Sequence, residues 1–144
     1  MPVFVDTNVL VYARDTSDRD KHRRARDWMT DLWESGSGRL SMQVLEEYYV
    51  TVTRKLRPGL AKNDARDDVE DLLAWGPLVI DARALEAAWS VEQRFGLSFW
   101  NALVAGAAIL TGCEHLLTED LQDGMQLESV TVVNPFGIEA GALP

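Results

Sequence analysis

The sequence predicts an α/β fold, a parallel sheet of four or five short strands with helices on both faces. Three observations carry that prediction. Short continuous apolar runs, Val3 to Val5, Leu78 to Ile80, Leu116 to Thr118 and Val130 to Val133, read as buried strands. Longer segments of helical period separate them. Hairpin turns are not expected between the strands, so the connections are read as right-handed crossovers. At 144 residues the chain has the length of one domain, taken as residues 1 to 144 with 137 to 144 as a loose tail.

Taken in order, Val3 to Val5 ends at Asp6-Thr7-Asn8, after which Val9 to Tyr12 resume as a helix. A long helix is predicted from Ser17 or Asp18 to Glu34, with Trp28, Met29, Leu32 and Trp33 on its buried face. Ser35-Gly36-Ser37-Gly38 stops it, and a brief strand at Arg39 and Leu40 leads to Ser41, an N-cap for a helix reaching Lys55. Arg57-Pro58-Gly59 breaks the chain before a helix over Asn63 to Trp75, which Gly76-Pro77 ends. Asp81 caps a helix to Phe95, and Ser98 caps another that ends near Gly112.

Composition narrows the function classes. Apolar residues make up 47% and charged residues 26%, as in globular proteins, and the longest apolar run, Ala102 to Leu110, is about half a membrane span. No membrane partner is expected. Cys113 is the only cysteine, which excludes an internal disulfide or cysteine-built zinc site and fits a reducing compartment such as the cytoplasm. The net charge of −9 opposes phosphate binding in general, but it is uneven: residues 1 to 66 carry +2 and residues 67 to 144 carry −11. Two basic clusters, Lys21 to Arg26 and Arg54-Lys55-Leu56-Arg57, are either phosphate contacts or solvated helix surface.

In an open parallel sheet the ligand crevice lies beyond the carboxyl ends of the strands. Asp6 stands at the end of the first strand, and Glu119-Asp120 just past the strand that ends at Thr118. Asn101 lies in the first turn of the helix capped by Ser98, and Glu46 and Glu47 interrupt an otherwise apolar helix. Carboxylates converging on one pocket repel each other unless a cation offsets them. Magnesium or manganese suits such oxygen ligands and promotes phosphodiester hydrolysis by a metal-activated water. No His-Glu-x-x-His, Walker or Gly-x-Gly-x-x-Gly motif competes, and His22 and His115 read as surface or boundary residues.

Four segments together carry a family likeness. They are Val5-Asp6-Thr7-Asn8-Val9-Leu10, Ser41 to Val50 with Thr53-Arg54-Lys55, Ser98-Phe99-Trp100-Asn101-Ala102-Leu103, and Leu117-Thr118-Glu119-Asp120 with Asp123-Gly124. In order and spacing, from Val3 to Phe136, the chain resembles the PIN-domain ribonucleases, specifically the VapC-like toxins of bacterial toxin–antitoxin pairs. The resemblance implies a PIN-like fold, a Mg2+- or Mn2+-dependent endoribonuclease, a cognate antitoxin protein and a homodimer. It also implies that Asp6, Glu47 and Asp120 are catalytic metal-site carboxylates, with Asn8 steadying Asp6 and Thr118 bonding within the cluster. Periodicity alone does not choose Glu47 over Glu46, because Glu46 flanks the apolar stripe more closely.

One position departs from that pattern. Where these toxins usually carry aspartate, Asn101 is neutral and offers an ion only its carbonyl oxygen. Attenuated cleavage is the expectation, and the alternative is a catalytically impaired module that holds RNA or antitoxin. A phosphoryl-transfer enzyme with Asp6 as nucleophile is weaker, since Asp6-Thr7-Asn8 lacks the second aspartate common in such motifs.

Overall fold

A computed structural model describes residues 1–144. The elements in chain order are β1 (Val3–Val5), α1 (Thr7–Tyr12), α2 (Arg19–Ser35), β2 (Gly38–Arg39), α3 (Met42–Val50), α4 (Lys62–Leu72), α5 (Ala82–Phe95), α6 (Phe99–Leu110), β3 (His115–Leu117), β4 (Gln126–Leu127) and β5 (Val130–Val133). The strands form one sheet in the order β2-β1-β3-β5-β4, parallel except for the β4–β5 pair. Helices cover both faces of this α/β sheet, as the sequence predicts.

Capping chemistry sets most helix starts. Side chains of Asp6, Asp18, Ser41, Asp81 and Ser98 accept hydrogen bonds from backbone N–H groups in the first turns of α1, α2, α3, α5 and α6. α5 and α6 pack closely because Gly106 has no side chain: a Cβ there would lie 3.1 Å from the Ala88 backbone nitrogen. Burial runs through β1, β3 and β5 and the facing helix surfaces, in one core that includes Phe4, Trp28, Leu32, Leu116 and Val132. The buried Trp28 indole donates to the Pro135 carbonyl at 2.8 Å, which satisfies its one polar atom. Cys113 is a buried small hydrophobe, and Ile138 and Leu143 pack partly against the core.

Several local expectations need correction. Leu78 to Ile80 is not a strand of the sheet: only Leu78 bridges, to Ser41, while Val79 is exposed. The sheet instead gains β4, joined to β5 by a two-residue turn at Glu128 and Ser129 with Glu128 at φ 56°. Trp33 is half exposed and lies against Trp75 at a centroid distance of 6.0 Å, so it flanks the core rather than filling it. His115 is buried rather than at the boundary.

The helix begun by Ser41 does reach Lys55, but its last turn, Thr51–Lys55, is π-helical. Its sequence accounts for that. Val50 to Thr53 are all β-branched and crowd an α-helical turn, and Thr53 Oγ1 donates to the Tyr49 carbonyl at 2.6 Å. Leu56 N–H then reaches back to the Thr51 carbonyl, five residues earlier, at 3.1 Å.

β1 is flanked by β2, reached through α1 and α2, and by β3, reached through α3 to α6. Successive connections therefore place β2 and β3 on opposite sides of β1. In open sheets such a switch is where ligand crevices form, at the carboxyl ends of the strands, and Asp6 stands at that end of β1.

Candidate functional site

Asp6 ends β1 and caps α1, two roles that fix its backbone and leave its carboxylate 4% exposed above the sheet. Its Oδ1 accepts from Thr7 N–H at 2.7 Å. Its Oδ2 accepts from Thr118 Oγ1 at 2.8 Å, a hydroxyl wholly buried just past β3. Parallel pairing of β1 with β3, with Val5 opposite Leu117, brings these two side chains together from positions 112 residues apart.

Asn8, in the first turn of α1, ties the cluster together. Its Nδ2 donates to Thr118 Oγ1 at 3.0 Å and Asp120 Oδ2 at 3.2 Å, with a longer contact to Asp6 Oδ2 at 3.4 Å. Asp120 N–H donates to Thr118 Oγ1 at 3.1 Å. Glu47 arrives from the middle of α3, where Thr7 Oγ1 donates to its Oε2 at 2.9 Å and Gln43 Nε2 to its Oε1 at 2.7 Å. Glu46, by contrast, is exposed.

The structure thus gathers Asp6, Asn8, Glu47, Thr118 and Asp120. Asn101 is placed differently: it is half-buried in the first turn of α6, where its N–H donates to Ser98 Oγ at 3.4 Å, and its side chain bonds to none of the other five. Thr7 and Gln43 are site residues that the sequence reading missed. Gln43 was within reach of it, since a glutamine one turn before a glutamate on a helix is a standard hydrogen-bonding spacing.

No arginine or lysine pairs with Asp6, Glu47 or Asp120; beside Asp120, Glu119 is paired with Lys21 at 2.7 Å. Asp6 accordingly holds its proton unusually well. Burial pushes its pKa from 3.8 up to about 6, the Thr118 and Thr7 hydrogen bonds pull it back, and the charges of Asp120 and Glu47 raise it again.

Whether the group fits a divalent cation can be judged from its donors. All are oxygens of hard character, the cluster has surplus negative charge, and the buried Asn8 Oδ1 has no hydrogen-bond partner. No three Asp, Glu, His or Cys side chains are grouped closely enough to hold a metal ion as they stand. The oxygen donors present are of the kind that Mg2+ or Mn2+ take, with waters completing the coordination.

One surface groove reaches this region and a second lies apart from it. One, of about 570 Å³, runs along α3 from Gln43 and Glu47 to Lys55, with Trp100 and Ile80 opposite. A larger one, of about 680 Å³, lies along α1 and α2, lined by Arg14, His22, Arg26 and Trp33, away from the carboxylates.

A sequence model of the PIN domain matches residues 3–122 of the chain. No curated protein matches it. Among solved structures, the chain is similar in fold to VapC20 of Mycobacterium tuberculosis, described as a sarcin-ricin loop cleaving toxin, with 21% identity, a TM-score of 0.59, and 82% of this chain and 89% of that one covered. It is also similar to VapBC2 from Rickettsia felis bound to a DNA fragment from its promoter, at 15% identity and a TM-score of 0.63, covering 92% of this chain and 97% of that one. A toxin–antitoxin complex from Klebsiella pneumoniae gives 18% identity and a TM-score of 0.58, with 94% and 98% covered.

Proposed function

The chain belongs to the PIN-domain family, and from that premise we propose that it is a divalent-metal-dependent endoribonuclease, the toxin of a toxin–antitoxin pair. One observation carries the reading: Asp6, buried at the end of β1, shares its surroundings with Glu47 and Asp120 and has no cation beside it. A purely structural acid at that depth would be paired or protonated. The similar folds of the VapC20 and VapBC2 structures support the toxin assignment.

Asp6, Glu47 and Asp120, with the Asn101 carbonyl oxygen, would hold Mg2+ or Mn2+. When bound, the ion would polarise a phosphoryl oxygen and acidify an attacking water. The chain's own groups do the positioning. Thr118 and Thr7 N–H fix the two oxygens of Asp6, and Asn8 holds Asp120 toward it. Thr7 and Gln43 hold Glu47 by both oxygens, so that α3 presents it in one orientation.

The same surplus charge is a receptor for an arginine or lysine supplied by an antitoxin, which would occupy the site and block it. A homodimer of single-domain chains acting in the cytoplasm completes the proposal; no helix is long and apolar enough to cross a membrane.

Asn101 favours a second reading, an impaired module that retains RNA without cutting it. Its neutral side chain has no partner in the cluster. The test compares the chain with Asn101→Asp on a mixed RNA, with Mn2+ and with chelator. The proposal expects metal-dependent fragments from both and at least tenfold faster cleavage, with tighter Mn2+ binding, from Asn101→Asp. Retention of RNA without fragments from either form sinks the nuclease reading and leaves the module.

A further inference from the structure

An RNA nuclease with a net charge of −9 and an acidic centre must draw its substrate by groups outside that centre. The cluster Arg54, Lys55 and Arg57 supplies them. All three are exposed and none lies in an ion pair; in the other basic cluster Lys21 and Arg24 are paired with Glu119 and Glu139, and its free Arg23 and Arg26 line no groove that reaches the carboxylates, whereas Lys55 does.

The α3 segment and its π-helical end connect these cations to the carboxylates. Gln43, Glu47, Thr51 and Lys55 recur every fourth residue and all line the 570 Å³ groove. At about 1.5 Å per helical residue, Lys55 lies roughly 12 Å beyond Glu47. Across the groove is Trp100, 64% exposed, with Ile80 beside it. Phe99 contacts the indole edge-on at a centroid distance of 5.1 Å. Gln43, 93% buried, adds an amide oxygen with no partner at the groove's acidic end.

A flat aromatic face with a free cation along the same groove is the pairing by which proteins hold single-stranded nucleic acid. A duplex keeps its bases stacked inside and offers no face to Trp100.

We propose that this groove holds an unpaired nucleotide of the RNA substrate next to the cleavage point, with its base stacked on Trp100 and a flanking phosphate on Lys55. The inference rests on the nuclease reading for the direction of the strand; what it adds is the pair of residues, Trp100 and Lys55, that would hold the strand beside the carboxylates. Discrimination among RNAs then begins with strand exposure, since stacking on an indole accepts any base.

The experiment measures fluorescence anisotropy of a labelled short oligouridylate, without divalent ions, against the whole chain and its variants. Trp100→Ala is expected to weaken binding about tenfold, with Trp100→Phe recovering most of the loss. Lys55→Ala should reduce the slope of log affinity against log salt by about 0.7. A duplex of the same length should bind more weakly and be indifferent to Trp100→Ala.

Unchanged affinity in Trp100→Ala and Lys55→Ala overturns the proposal. So does a shift of Trp100→Ala to a smaller sedimentation coefficient with RNA affinity intact, because the groove is then an interface between chains. Binding that behaves as expected in a chain that never cuts RNA with Mn2+ supports the subsite and rejects the nuclease reading, which keeps the two failures apart.

Discussion

Two polar clusters lie within one turn of each other along α3 and have opposite electrostatic fates. Around Tyr48, Arg14 donates twice to Asp68, at 2.7 and 2.8 Å, and the Tyr48 hydroxyl donates to the same carboxylate. Burial alone would raise the Asp68 pKa, but the hydrogen bonds from Arg14 and Tyr48 and the Arg14 charge hold it below the usual value. One residue earlier in sequence, Glu47 faces Asp6 and Asp120, where hydroxyls and amides are the only donors and Asp6 rises to about 6. In both clusters every carboxylate accepts hydrogen bonds, though the second leaves the Asn8 and Gln43 amide oxygens without a partner. The first closes its charge internally and is structural; the second leaves charge over, which is the mark of a group made to receive something.

The comparison breaks most sharply at Asp6. Asp6→Asn is expected to lower RNA cleavage more than a hundredfold while raising the unfolding free energy of the metal-free protein at pH 7 by about 1–2 kcal/mol. Denaturant titration and a cleavage assay on the same preparation check both parts. A loss of stability would place Asp6 among ordinary paired acids.

The pH dependence sharpens it next. Asp6 binds its proton more tightly folded than unfolded, so its ionisation removes stability as pH rises from 3.8 to about 6, by about 3 kcal/mol in all. Below 3.8 that cost is absent. Asp68 has the opposite sign: its contribution is present above 3.8 and is lost as acid titrates it through its lowered pKa. Thermal melts from pH 3 to 8 should therefore show Asp6→Asn flattening the decline between pH 4 and 6. Added Mn2+ should raise the melting temperature most above pH 6, where Asp6 is ionised.

At the structural cluster, Asp68→Ala should cost about 2 kcal/mol, chiefly because the hydroxyl of the buried Tyr48 loses its acceptor, and it should leave Mn2+ affinity unchanged. Calorimetric metal titration of this variant distinguishes the clusters directly. The smallest effect is expected at Gln43→Leu, which frees one oxygen of Glu47: a few-fold slower cleavage with stability within about 1 kcal/mol of the parent. Cleavage unchanged in this variant would show that Thr7 alone holds Glu47.

What was legible in the sequence follows the range of the interactions. Asp6 and Ser98 could be read because a strand end, a capping side chain and a helix start are local. Glu47 could not be separated from Glu46 by periodicity, because Thr7, 40 residues away, decides which of them faces Asp6. β4 was missed because its turn places Glu128 at positive φ without the glycine or asparagine that advertises such a turn. The apolar run Leu78 to Ile80 has the pattern of a buried strand, but only Leu78 finds backbone partners, and Met42 N–H takes its carbonyl at the start of α3. The loss of α-geometry after Val50 needed the Thr53 hydroxyl to be weighed along with the β-branched run.

The sheet has one further property with consequences for assembly. Both outer strands, β2 and β4, are two residues long, and on β2 the Arg39 guanidinium occupies the Gly38 and Gly36 carbonyls at 2.8 and 3.0 Å. An incoming chain finds almost no free ladder to extend at that margin, so a runaway stack of sheets is discouraged from the outset. The larger exposed surfaces belong to the helices, so any association there would be read by side chains rather than by backbone pairing.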